Sequence, residues 1–176
     1  MKKIVLMVAL LAISGRGWAE CQIFASQQKV SWGNLSPAER QQVKGPLLSL
    51  PEKQFQVRVV CSEPQRIRLF PGSDRVQNGT FALGADGEMQ IVASHALVDD
   101  KPVRLAPVNL ADVLPHSSDS ENLAILPHQG LAFMDGSETY GKTATVTFTV
   151  RSAIKPGAIV ERTTWRGNLK IKMDVR

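Results

Sequence analysis

The residue types that could carry catalysis cluster in one short stretch, His116-Ser117-Ser118-Asp119. Together they hold the letters of a hydrolytic triad: a nucleophilic hydroxyl, an imidazole base and a carboxylate. Such a relay needs its three groups held by separate rigid elements, so that base and nucleophile meet at hydrogen-bond distance. Here they are neighbours in the polar run 116–122, which reads as an exposed loop, and no catalytic residue is assigned. The other patterns are thinner. Gly84-Ala85-Asp86-Gly87 is glycine-rich but lacks the following helix that would make it a phosphate cradle. Asp99-Asp100 sets two carboxylates directly before Lys101-Pro102, the composition of a solvated turn. His95, His116 and His128 fall at no metal-ligand spacing, so neither a metal nor a cofactor is expected.

Two residues do carry chemistry, Cys21 and Cys61, the only cysteines of the chain. Their environment is set by the N-terminus. Lys2 and Lys3, an apolar run over residues 4–13 and a small-residue stretch ending Gly17-Trp18-Ala19 are the three zones of a secretory signal peptide. The apolar run falls well short of the roughly twenty residues that a membrane helix needs. Gly17 and Ala19 put cleavage after Ala19, so residues 1–19 are the signal peptide and residues 20–176 form a single domain. Trp18 and the acidic Glu20 beside Cys21 argue against lipid attachment at that cysteine. In an oxidising compartment the two cysteines pair. Closing the loop between them stabilises the fold by about 4 kcal/mol on the chain-entropy model.

Loss of the signal also changes the charge. The formal net charge is +5, but Lys2, Lys3 and Arg16 leave, and eighteen basic against sixteen acidic residues give +2. No Lys/Arg block interleaved with aromatics remains, so a nucleic-acid partner is excluded. Sugar sites lean on exposed aromatics. Trp32 and Trp165 lie in strand patterns and read as core or groove-lining, which leaves Tyr140, before Gly141, as the aromatic to test.

The elements that position these residues are strands. Val, Ile, Thr and Phe recur with period-two alternation between Gly, Pro, Asn and Asp clusters. Residues 23–32 give a first strand ending Val30-Ser31-Trp32-Gly33. Ser36, Pro37 and Glu39 then predict a short helical turn over 36–42. Phe55, Val57, Val59 and Cys61 share one face of a strand, which turns the second cysteine toward the core. Residues 66–70 alternate and stop at Pro71-Gly72. Asn78-Gly79 and Asp86-Gly87 predict hairpins leading into 80–83 and 89–93. Asn78-Gly79-Thr80 is also a glycosylation sequon, read here as turn chemistry. From 101 to 126 the pattern loosens, and two strong strands follow at 144–151 and 163–175. Seven or more short strands predict an all-β fold, an antiparallel β-sandwich of immunoglobulin type.

The end of the chain is the most informative feature. Trp165, Gly167, Leu169, Ile171, Met173 and Val175 alternate with polar residues up to Arg176. Terminal segments usually fray. A long amphipathic strand running to the last residue makes sense if another chain's strand lies beside it; the alternative is a plain closing strand of a complete sandwich, in a self-contained periplasmic or secreted binding module.

A signal peptide, two cysteines 40 positions apart around the first strands, Val30-Ser31-Trp32-Gly33 and the alternating terminal strand occur in an order that resembles the pilin-type subunits of bacterial chaperone-usher fimbriae. The resemblance implies a sandwich lacking its last strand, with a hydrophobic groove beside the terminal strand. A periplasmic pilus chaperone fills that groove first, and a neighbouring pilus subunit's strand replaces it after delivery to an outer-membrane usher, which is β-strand addition. On this chain Leu169, Ile171, Met173 and Val175 would line or flank the groove, with Val30, Trp32 and Trp165 as further lining candidates. The Arg176 carboxylate would be held by chaperone cations. Three departures stand out: Val175 replaces the usual penultimate aromatic, Gly167 lies close to the end, and cleavage after Ala19 leaves only Glu20 before Cys21. A subunit with no strand to donate would sit at the tip of the fibre, where it could meet a host receptor.

Overall fold

The computed structural model describes residues 20–25, 27–35, 38, 45–84, 86–155, 157 and 163–176. The signal peptide and, Ala38 apart, the helical turn expected at 36–42 lie outside them. The alternating segments become strands β1 (Cys21–Phe24), β2 (Gln27–Leu35), β3 (Leu48–Ser73), β4 (Val76–Gln77), β5 (Thr80–Leu83) and β6 (Gly87–Val98). Strands β7 (Lys101–Pro102), β8 (Arg104–Asn109), β9 (Leu123–Ile125), β10 (Gln129–Asp135), β11 (Ser137–Glu138), β12 (Tyr140–Ile154) and β13 (Thr163–Val175) follow. Every pairing among them is antiparallel.

The chain forms two layers joined by one strand. The first half of β3 lies between β1 and β12, and β6 follows on the far side of β12 with β5, β7 and β9 along its outer edge. The second half of β3 lies between β13 and β10, flanked by β2 beyond β13 and β8 beyond β10. The change of layer falls at a break in register. Gly141 pairs with Gln65 but Thr143 pairs with Val60, so residues 61–64, including Pro64, bulge out of the ladder with β12. Apolar side chains from both layers fill one core, including Val57, Leu69, Met89, Phe133, Val146 and Phe148. Gly167 of β13 marks the closeness of the layers, since a Cβ there would stand 2.6 Å from Met89 Sδ in the opposite layer. The fold is therefore all-β and antiparallel, as the alternation predicts, in the immunoglobulin-like class.

Turn chemistry follows the sequence. Asn78 and Gly79 have φ of 51° and 75°, the doubly left-handed geometry of a type I′ hairpin turn. Asp99 and Asp100, at 48° and 63°, form a second one between β6 and β7. Asp99 does more than turn the chain: its Oδ1 accepts N–H bonds from Lys142 (2.9 Å) and Thr143 (2.8 Å), pinning the irregular start of β12.

Three expectations are corrected. The single strand at 23–32 is two, because Ala25 adopts φ 61° and carries the chain from the edge of one layer to the edge of the other. The strands at 55–61 and 66–70 are parts of one strand that continues through Pro71 to Ser73. Pro71 is tolerated because it faces Ile171 across β13 at a position that exchanges no ladder bonds. Strands β8 and β10 stand where no strand is predicted, with Leu105, Ala106, Val108, Leu131, Ala132 and Phe133 buried.

Candidate functional site

Strand β13 is built by its alternation. Trp165, Gly167, Leu169 and Ile171 are buried while Arg166, Asn168, Lys170 and Lys172 face water, and Met173 and Val175 are half-buried at the end of the same inward face. The four residues expected to share a face do share it. Val30, Trp32 and Trp165 are buried in the core as well. Trp32 Nε1 donates to the Pro51 carbonyl at 2.8 Å, whereas Trp165 Nε1 is buried without a hydrogen-bond partner among the described residues.

The backbone of β13 is paired unevenly. Its C-terminal part, from Leu169 to Val175, pairs with β3, and its N-terminal part, from Thr163 to Lys170, pairs with β2 on the opposite edge. Beyond Lys170 no described strand covers the β2-side edge. Alternation of the ladder fixes which groups are left there. Arg66 and Arg176 exchange both backbone bonds (3.0 and 3.1 Å), so they are a hydrogen-bonded pair, and the N–H and C=O groups of Asp174 and Lys172 also point into β3. Those of Ile171, Met173 and Val175 point outward, along the edge that β2 leaves open. A short length of unpaired strand edge is a template for another strand.

The strand end is anchored. Arg176, the exposed last residue, donates from Nε to Asp174 Oδ2 (2.9 Å) and from Nη2 to the Leu110 carbonyl (3.3 Å), while its backbone carbonyl accepts from Arg66. At the other end of the β3 pairing, Asp74 accepts from Asn168 Nδ2 (3.0 Å) and faces Lys170 Nζ (3.6 Å). The bond from Asn168, then the charge of Lys170, hold the Asp74 carboxyl below its usual range.

Sequence reasoning missed the cluster behind this anchor. Arg68, opposite Asp174 in β3, is only 1% exposed although it lies on the outward face of its layer. Its Nε and Nη2 grip Glu138 Oε1 and Oε2 at 2.6 and 2.8 Å, and Nη1 and Nη2 donate to the carbonyls of Asp112 (2.7 Å) and Val113 (2.9 Å). The bond to Glu138 outweighs burial and raises the Arg68 pKa further. The guanidinium thus clamps the loop after β8 over the sheet, with Leu110, Val113 and Leu114 exposed upon it. In sequence Arg68 is one polar letter of an alternating strand, and nothing local marks it as buried.

The disulfide expected from the cysteine count is present: Cys21 and Cys61 face each other across β1 and β3 and are bonded. A disulfide suits an oxidising, extracytoplasmic environment. No family model matches the sequence, and no solved structure matches it. An uncharacterized Escherichia coli (strain K12) protein, YhcE, is 27% identical over 181 residues, an alignment spanning 100% of both chains.

The triad letters are not brought together. Asp119 is engaged by Arg104 (Nε–Oδ1 2.7 Å), and His116 Nε2 lies 3.4 Å from Asp112 Oδ2 instead. The neighbouring Asn109 N–H donates to that same Asp112 oxygen at 2.8 Å, which is the main cause of the lowered Asp112 pKa. Tyr140 is 58% exposed, with the Arg66 guanidinium 5.6 Å from its ring centroid. That stacking occupies one face of the ring. Among the described residues no group of His, Cys, Asp and Glu is arranged to hold a metal ion.

Proposed function

We propose that the chain is a non-enzymatic subunit of a chaperone-usher fimbria. On this reading residues 1–19 direct export and are removed after Ala19. A periplasmic pilus chaperone then binds along β13, an outer-membrane usher receives the complex, and a strand from a neighbouring pilus subunit takes the chaperone's place in the surface fibre. The observation that carries the reading is the outward edge of Ile171, Met173 and Val175, whose backbone groups face no described strand. Strand addition would satisfy those groups and set the incoming side chains in alternate pockets. With cleavage after Ala19, Glu20 alone precedes Cys21, and the subunit takes the tip position, within reach of a host receptor.

The test is strand supply. The exported chain is expected to co-purify with a periplasmic pilus chaperone. A strand of alternating apolar residues, fused after Arg176 through a Gly/Ser linker, is expected to raise the melting temperature. A protein that is monomeric and stable alone, with a melting temperature indifferent to the fused strand, contradicts the proposal.

That outcome would favour a self-contained periplasmic or secreted binding module. Two observations support this second reading: β2 already covers β13 from Thr163 to Lys170, and Leu169 and Ile171 are buried by the chain's own residues.

A further inference from the structure

Away from β13 a cleft of about 700 Å³ opens between the β6–β7 hairpin, the start of β8, residues 121–122 and the β10–β11 turn. That volume lies within the range of small-molecule sites. None of its lining residues belongs to β13, so the cleft can be tested separately from the strand edge.

One wall is made by a bulge. Thr145 pairs with Leu97 but Thr147 pairs with Ser94, so three steps of β6 match two of β12. The extra residue is His95, at φ 51°, in the left-handed region that non-glycine residues seldom enter. Bulges re-aim side chains, and this one places His95 on the cleft. The Oγ of buried Ser94 stands 3.0 Å from His95 Nδ1 and fixes the ring. No other hydrogen bond or ion pair of the ring is formed among the described residues.

The remaining lining is mixed in a way that selects a ligand class. Pro102, Val103 and Met134 contribute apolar surface. Gln56 and Asn122 offer amides that both donate and accept, and Glu121 and Asp135 offer acceptors that form no ion pair among the described residues. Arg104 also lines the cleft, but Asp119 accepts from both its Nε (2.7 Å) and its Nη2 (3.0 Å). Its charge is therefore compensated and makes no anion site. A neutral ring bearing several hydroxyls meets all of these groups, because each hydroxyl donates to a carboxylate and accepts from an amide or imidazole. Its C–H face covers the apolar surface.

We propose that this cleft binds a neutral saccharide of one or two rings, held by Gln56, His95, Glu121, Asn122 and Asp135. Among the described residues no Phe, Tyr or Trp lines it, so the dissociation constant should be about 0.1 to 1 mM, the weak range typical of a few hydrogen bonds.

The full exported protein, isotope-labelled, can be titrated by NMR with glucose, galactose, mannose, N-acetylglucosamine and their disaccharides, with N-acetylneuraminic acid and spermidine as anionic and cationic controls. At least one neutral sugar should shift the backbone resonances of Gln56, His95, Glu121 and Asp135 saturably. Glu121→Gln and His95→Gly should each weaken that binding about tenfold or more. His95→Gly removes the imidazole but keeps the bulge, because glycine enters the left-handed region freely, so the melting temperature should hold. Absence of saturable shifts with every neutral sugar, saturation by a charged control alone, or unchanged affinity in both variants would overturn the proposal.

Discussion

Proline substitution can separate the two edges of β13. At Val175 the N–H points outward, so Val175→Pro deletes one donor from the open edge and sets a ring Cδ where an incoming carbonyl must sit, while the β3 ladder keeps its bonds. The five-membered ring keeps much of the half-buried valine's bulk beside Ile67. Three residues to the N-terminal side, Lys172 directs its N–H into β3 opposite Phe70, so Lys172→Pro breaks an internal ladder bond and leaves the outward donors intact. A strand docked along Ile171, Met173 and Val175 would make up to two bonds at each. Losing one bond and leaving its partner carbonyl unsatisfied costs about 1 to 3 kcal/mol, or roughly five- to 150-fold in affinity. The same range in folding stability moves the melting temperature of a domain this size by about 2 to 12 °C. The assay pairs thermal denaturation with biolayer interferometry against a ten-residue peptide of alternating Ile and Thr. Val175→Pro should lose peptide affinity with a nearly unchanged melting temperature, and Lys172→Pro should do the reverse. Equal effects of the two variants on both readouts, or full peptide affinity in Val175→Pro, would refute the assignment of the open edge.

Two further outcomes are expected. Cys61→Ala removes a crosslink between residues 40 positions apart and should cost about 4 kcal/mol, enough to abolish periplasmic accumulation; protein levels equal to the parent on immunoblots would contradict a structural role for the bond. Glu138→Ala strips the bidentate partner from a guanidinium that is 1% exposed and should lower the unfolding free energy by about 3 to 5 kcal/mol in urea titrations, whereas Arg68→Met with Glu138→Leu should recover much of that loss, and a single variant as stable as the parent would show that the charge is solvated.

The sequence by itself determined the local structure. Period-two alternation wrote Phe55, Val57, Val59 and Cys61 onto one face, and did the same for Leu169, Ile171, Met173 and Val175. Asn78-Gly79 specified a left-handed turn because few other residue pairs enter that region cheaply. The disulfide was expected from an N-terminal pattern read as an export signal and from a count of two cysteines. Strands β8 and β10 escaped because Leu105-Ala106 and Leu131-Ala132-Phe133 are buried on both faces, so they do not alternate, and prolines nearby read as breakers. What only the tertiary structure decided depends on partners far apart in the chain. Arg68 is buried because Glu138 lies 70 positions away and closes over it with the Asp112 and Val113 carbonyls. Among the described residues β13 has an open edge because its pairing with β2 reaches only as far as Lys170 while its pairing with β3 continues to Val175. Alternation tells which side of a strand faces the core, but hydrogen bonds run in the plane of the sheet, at right angles to that pattern, so pairing at an edge leaves no periodic mark in the sequence of the strand itself.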